Sequence, residues 1–209
     1  AGNYDLLNRK DRIPLPGFYT HLGHWQQIED QGAVCWLADG SRSLGTLSTG
    51  VSQLMTRALG RSYQEMLDTI GAYYSFPLAI DKNGAVGDGT LSLKVKPMSG
   101  SIDQAGGLVF GLRDTGNYWV LRINALEDNA VLFAFVDNKR VERARADLPI
   151  TRGQWYTLEV AIKADTAACR VNGVTLFEHR AASSYRGHVG LWTKADSVTL
   201  FTGLTIENG

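Results

Sequence analysis

The sequence has few of the features that mark nucleic-acid-binding, membrane-spanning or metal-binding proteins. Its 209 residues include 21 basic and 21 acidic ones, so it lacks the basic excess that nucleic-acid binders carry. No apolar run reaches the roughly 18 residues that predict a membrane-spanning helix. The two cysteines, Cys35 and Cys169, match no metal or redox spacing, and either two buried thiols or a disulfide would suit them. Because 44% of the residues are hydrophobic, a folded domain is expected.

Several catalytic and ligand-binding motifs are also missing. There is no Gly-x-Ser-x-Gly elbow, and no phosphate-binding or dinucleotide-binding glycine loop opens a helix. The glycine-rich stretch 103–107 leads into a predicted strand instead. His21 and His24 lack a convincing third ligand, so we interpret them as ordinary loop residues rather than a metal site.

The sequence is rich in glycine and in predicted strands whose apolar and polar residues alternate. Its 23 glycines and 10% aromatic residues are typical of many strands joined by tight turns. Turn signals occur at Gln31-Gly32, Lys82-Asn83-Gly84, Asp137-Asn138 and Asn172-Gly173. We predict one all-β domain over residues 1–209, with an extended lead-in over 1–17. Helical spacing and a capping box predict a short helical insert near residues 51–70.

One strand, within residues 118–129, carries polar groups on a face that a core strand would keep apolar. Trp119, Leu121 and Ile123 point one way, whereas Tyr118, Val120, Arg122 and Asn124 point the other way. An aromatic ring, a guanidinium group and an amide on one face are suited to a polyhydroxylated ligand.

Two further predicted strands repeat this mixture of polar groups and glycines. On the first, alternation places Gly107, Val109, Gly111 and Arg113 on one face. On the second, it places His188, Gly190, Trp192 and Lys194 on one face. Glycines leave room for a ligand or a close backbone, so these strands could flank a binding platform. A solvated face laced by ion pairs, with Trp192 in the core, is the alternative.

Several motifs, in this order, resemble bacterial concanavalin A-like jelly-roll domains grouped with the keto-disaccharide hydrolase and laminin G-like families. They include Ser75–Ala79, Asp103–Phe110, Asn117–Trp119, Arg122–Asn129, Gly153–Tyr156, Val171–Gly173 and Gly190–Ser197, and they cover the chain from about Tyr73 onward. The resemblance implies a two-sheet antiparallel jelly-roll sandwich that holds carbohydrate on its concave face, with a structural calcium ion as a further possibility. The Glu-x-Asp strand signature of laminarinase-like glucanases, which share this fold, is absent.

We therefore expect a carbohydrate-binding jelly-roll protein. A glycoside or keto-glycoside hydrolase or lyase, with Glu127 as acid or base paired with Asp103 or Asp196, is one alternative. A laminin G-like protein-interaction domain is the other. No cofactor and a monomeric state are expected, and the start at Ala1 without a methionine favours a secreted or periplasmic protein. The residues predicted to bind the ligand are Gln104, Arg113, Tyr118, Arg122, Asn124, Trp192, Lys194 and Asp196.

Overall fold

The computed structural model describes residues 13–42 and 76–209 of the chain. These residues form fifteen strands and a short 3-10 helix at Gly40–Arg42. The strands are β1 (Ile13–Pro14), β2 (Phe18–His21), β3 (Trp25–Asp30), β4 (Ala33–Asp39), β5 (Leu78–Val86), β6 (Gly89–Ser99), β7 (Ala105–Asp114), β8 (Asn117–Asn124), β9 (Asn129–Val136), β10 (Lys139–Asp147), β11 (Tyr156–Lys163), β12 (Thr166–Val171), β13 (Val174–Arg180), β14 (Gly187–Trp192) and β15 (Val198–Asn208).

The strands build two antiparallel sheets. An eight-stranded sheet has the order β1-β3-β4-β15-β6-β11-β12-β13, and a seven-stranded sheet has the order β10-β9-β8-β7-β14-β5-β2. The described ranges contain no helix that is long and apolar enough to cross a bilayer. The helical insert predicted near residues 51–70 lies outside the described residues.

Three predicted hairpin turns are confirmed, and each has the backbone that its sequence favours. Both turn residues have positive φ at Gln31-Gly32 (50° and 80°), at Asp137-Asn138 (49° and 64°) and at Asn172-Gly173 (50° and 80°). Such turns match the right-handed twist of the strands they join, and they favour glycine and asparagine at these positions. They close the hairpins β3–β4, β9–β10 and β12–β13.

The turn predicted at Lys82-Asn83-Gly84 is wrong as a hairpin. β5 continues through these residues, but its pairing with β14 jumps from Ile80 opposite Gly190 to Ala85 opposite His188. The local signal therefore marks a large bulge inside one strand, where glycine relieves the bend. Lys82, Asn83 and Gly84 therefore favour a tight backbone bend, but pairing with the neighbouring strand determines whether the chain reverses direction there.

The main core lies between the sheets, and a second apolar layer covers the outer face of the seven-stranded sheet. Along β8, Leu121 and Ile123 belong to the main core, while Tyr118 and Val120 belong to the outer cluster. The predicted alternation of this strand is therefore confirmed. Cys35 and Cys169 are both buried and are not joined to each other, which favours two buried thiols over a disulfide.

Side chains from the two halves of the seven-stranded sheet meet over its outer face. β5 and β9 are four strand spacings apart in this sheet, about 19 Å if it were flat. Phe76, just before β5, nevertheless has its ring 5.1 Å from that of Phe135 on β9. The segment at Phe76 leans over this face, which we call the concave face from here on.

Candidate functional site

A buried polar cluster occupies the concave face where β8 ends. Arg122 is only 2% exposed, and its Nη2 donates hydrogen bonds to Glu127 Oε2 at 3.1 Å and to Asn129 Oδ1. The Asn129 side chain in turn donates to Glu127 Oε2 at 3.1 Å. Glu127 itself is 43% exposed. The cluster therefore holds a guanidinium group inside the protein and presents a carboxylate at its edge.

The turn between β8 and β9 explains how Glu127 reaches Arg122. Asn124 Oδ1 accepts a hydrogen bond from the Leu126 amide at 2.9 Å, which folds the chain back at the end of β8. Asp128 completes the turn with a φ of 50°. Asn129 pairs directly opposite Asn124, so both side chains lie on the same face. Asn129 is a member of the cluster that we did not predict, although this pairing across the hairpin would have indicated it.

The cluster continues across the sheet to the start of β7 and the end of β14. Asn124 Nδ2 donates to Asp103 Oδ1 at 2.9 Å, and Lys194 Nζ lies 3.4 Å from Asp103 Oδ2. Asp103 is 2% exposed, whereas Lys194 keeps 15% of its side chain accessible. Four of the predicted residues, Arg122, Asn124, Glu127 and Lys194, thus meet around Asp103.

Asp196 contributes to this region by holding the loop that carries Asp103. Its carboxylate accepts backbone hydrogen bonds from Ser101 at 2.6 Å, Ile102 at 3.0 Å and Asp103 at 3.1 Å. Gln104 is similarly engaged, because its Nε2 donates to the Gly100 carbonyl at 3.0 Å. Both predicted ligand-binding residues therefore have structural partners that set the position of Asp103.

Burial and charge push the pKa values of the two carboxyl groups in opposite directions. Burial raises the pKa of Asp103 above its ordinary value, and the Lys194 charge only partly opposes this. Burial also acts to raise the pKa of Glu127, but the Arg122 charge and hydrogen bonds from Asn129 and Arg122 outweigh it and lower that pKa. Glu127 is therefore held as the ionised acceptor at the edge of the cluster.

Within the described residues, two buried polar atoms near the cluster, Arg122 Nε and Thr193 Oγ1, have no hydrogen-bond partner. Trp192 lies in one row with Gly107 and Arg122 across β14, β7 and β8, and its indole is placed to bond with Tyr118. Each unpaired buried donor costs on the order of 1–3 kcal/mol. Such atoms are expected where an acceptor from water or a ligand completes the site.

Trp192 and Tyr118 are packed within the protein and are not open stacking surfaces. Trp192 is 0% exposed and stacks on Phe76 at 5.5 Å, while Tyr118 stacks on Phe135 at 4.3 Å. A Cβ at Gly107 would lie 2.5 Å from Val120 Cγ2, so the space that this glycine leaves is already filled.

Arg113 does not share the concave face with Gly107 and Val109, and that part of the prediction is wrong. β7 is irregular between Phe110 and Asp114, with Gly111 at a φ of 58°. The bulge shifts the alternation, so that Leu112 packs into the outer cluster and Arg113 is exposed.

The described residues offer no obvious metal site. Within residues 13–42 and 76–209, no three His, Cys, Asp or Glu side chains form a group that could hold an ion. The structural calcium ion implied by the family resemblance therefore stays a prediction without a ligand set.

Comparisons with known proteins show the fold. The carbohydrate binding module CBM66 from Bacillus subtilis matches with a TM-score of 0.66 at 16% identity, over 91% of this chain and 95% of that one. A Bacillus licheniformis beta-glucanase matches 64% of this chain and 71% of its own, at 10% identity and a TM-score of 0.49. The Caenorhabditis elegans galectin LEC-6 matches 58% of this chain and 85% of its own, at 15% identity and a TM-score of 0.45.

With the two antiparallel sheets, the first of these matches identifies a concanavalin A-like jelly-roll sandwich, and the predicted fold is confirmed. No family model and no curated protein matches the sequence. At identities this low the similarity shows the fold alone, so the function has to be inferred from the residues of the site.

Proposed function

We propose that this protein binds carbohydrate through the polar cluster on the concave face. The observation that carries the proposal is a buried, hydrogen-bonded charge network that reaches the surface at Glu127 and Lys194 and leaves Arg122 Nε unpaired. The jelly-roll match to a carbohydrate binding module adds support, because a protein with the same fold has that function.

The accessible groups complement the hydroxyl groups of a sugar. A hydroxyl both donates and accepts hydrogen bonds, so it can donate to the Glu127 carboxylate while a neighbouring hydroxyl accepts from the Lys194 ammonium. The lowered pKa of Glu127 keeps its carboxylate an acceptor at neutral pH. Because Arg122 and Asn129 already fix Glu127, little side-chain freedom would be lost on binding.

A glycan array followed by calorimetry with the strongest hit tests this proposal. Glu127→Gln and Lys194→Met should each weaken binding about tenfold or more, since each removes a charge-assisted hydrogen bond worth on the order of 1.5–3 kcal/mol. Glu159→Gln is the matched control, because Glu159 forms a comparable ion pair with Arg170 on the other sheet. The proposal fails if no glycan binds, or if all three folded variants bind equally well.

A glycoside hydrolase or lyase is the second candidate function. One observation favours it: Asp103 and Glu127 lie close enough for the Glu127 charge to add to the rise of the Asp103 pKa, and the two pKa values move in opposite directions. Such divergence is typical of an acid and base pair. Here the ionised Glu127 would act as base, and the more readily protonated Asp103 would act as acid. If a bound oligosaccharide is cleaved by the wild type and equally fast by Glu127→Gln, this role is excluded.

Export from the cell and a monomeric state remain proposals that accompany carbohydrate binding. Fractionation of the native host with an antibody against this chain would test the first. Light scattering with size-exclusion chromatography would test the second.

A further inference from the structure

A second feature of the concave face is a pocket of about 220 Å³ that the polar cluster does not include. Its walls come from both halves of the seven-stranded sheet. Phe76 and His21 approach from the β5 and β2 side, whereas Tyr118, Phe135, Thr115 and Asn138 belong to β8, β9 and the turns beside them.

The floor of the pocket is aromatic and firmly packed. Tyr118 and Phe135 stack with their rings 4.3 Å apart and inclined by 13°, and Phe76 meets Phe135 edge-on at 5.1 Å. All three residues are buried, so their positions are set by the fold before any ligand arrives. The floor therefore offers a small apolar contact area, and not an open ring face, to the C–H groups of a ligand.

The rim is polar and comes from two turns that support each other. The Asn138 amide donates to the Gly116 carbonyl at 3.0 Å, and the Asp137 amide donates to Asn117 Oδ1 at 3.1 Å. These bonds fix the turns that carry Thr115 and Asn138, both of which are exposed. A hydroxyl and an amide at the rim can bond ligand hydroxyls in either direction.

The size and lining of the pocket select its occupant. The volume of about 220 Å³ lies below the roughly 300–1,000 Å³ of sites for drug-sized ligands, so the pocket suits a small ligand such as one sugar ring. The described residues that line it include no Asp, Glu, Lys or Arg, although the Arg140 guanidinium lies beside the pocket, 5.6 Å from the centre of the Phe76 ring.

We propose that this pocket is a second subsite, which binds one sugar ring of the glycan. The proposal rests on the carbohydrate-binding function proposed above and extends it along β8. Tyr118 in the pocket and Arg122 in the polar cluster are four residues apart on one face, about 13 Å along the strand. That distance is within the length of an oligosaccharide of a few rings, which would meet the cluster at the accessible Glu127 because Arg122 is only 2% exposed.

Protein NMR with a panel of neutral methyl hexosides, each at up to 50 mM, tests the pocket. At least one methyl hexoside should shift the amide signals of Thr115 and Asn138 with a Kd in the low millimolar range, about 4 kcal/mol of binding. Thr115→Val and Asn138→Gly should weaken this binding about fivefold or more, because each removes a rim hydrogen bond. Asn138→Gly should fold normally, because φ at this position is 64° and glycine accepts it.

Thr205→Val, an exposed threonine on β15 of the other sheet, is the control and should leave the shifts unchanged. The subsite is refuted if no hexoside shifts these signals, or if the rim variants and the control bind alike. The experiments distinguish a failure of the pocket proposal from a failure of the proposed binding at the polar cluster. Glu127→Gln should reduce oligosaccharide binding yet leave the methyl hexoside shifts at Thr115 in place.

Discussion

Asp196→Asn should destabilise the protein more than its modest chemical change suggests. Three consecutive backbone amides, from Ser101 to Asp103, point at the Asp196 carboxylate, with the closest at 2.6 Å. An asparagine keeps one acceptor oxygen and places an NH₂ donor against amide donors. About two charge-assisted hydrogen bonds are lost, at about 1.5 kcal/mol each, so we expect about 3 kcal/mol of lost stability. For a chain of this length that lowers Tm by about 6–12 °C.

Urea unfolding followed by tryptophan fluorescence measures this loss, with the m-value checked for two-state behaviour. Asp165→Asn is the control, since the Asp165 side chain is 43% exposed and its partners are the side chains of Arg180 and Thr166, so its loss should leave the midpoint nearly unchanged. An Asp196→Asn protein within about 1 kcal/mol of the wild type, at an unchanged m-value, would show that water replaces the carboxylate and would refute the reasoning.

Three other substitutions or conditions give further expectations. Gly107→Ala should cost about 1–3 kcal/mol in a thermal melt, because the new methyl group would lie 2.5 Å from Val120 Cγ2; an unchanged Tm would show that β7 can shift. The wild type should be more stable than Glu127→Gln at neutral pH, because folding stabilises the ionised form of Glu127. This difference should shrink as the pH falls below 4.5, the ordinary pKa of a glutamate, and vanish below the lowered pKa of Glu127 in the folded protein. Urea midpoints from pH 3 to 8 would check it. Burial raises the pKa of the Cys169 thiol to about 12, so Cys169 and Cys35 should react with a thiol reagent only after unfolding, and fast labelling of the native protein would contradict this.

Local chemistry in the sequence is enough to predict most hairpins and the alternation of the central strand. Asn172-Gly173 encodes its turn because both residues tolerate positive φ, whatever the rest of the chain does. The same logic fails at Asn83-Gly84, where the bend is present but pairing with β14 keeps the strand running. Strand pairing is a long-range property, and residues on one strand do not specify it.

In the candidate site, too, local sequence patterns predict some positions, whereas features that depend on long-range contacts could not be predicted. Arg122 and Asn124 could be placed on one face by counting in twos, and Glu127 follows from the turn after them. The bulge at Gly111 could not be foreseen, so Arg113 was placed on the wrong face. The pocket could not be predicted either, because Phe76 and Phe135 are 59 residues apart in sequence and meet only because the segment before β5 reaches across the concave face.

The polar cluster is an inefficient way to stabilise a sandwich. A buried ion pair seldom repays the desolvation of its charges, and apolar side chains of similar volume are often as stable or more so. Arg122 is bordered by Val120, Val131 and Phe133, a setting that an apolar side chain could fill, and it keeps an Nε without a partner. A guanidinium group in that position costs stability and gains directional hydrogen bonding. The proposed recognition of a ligand at Glu127, the accessible end of the cluster, would explain that exchange, whereas packing alone does not.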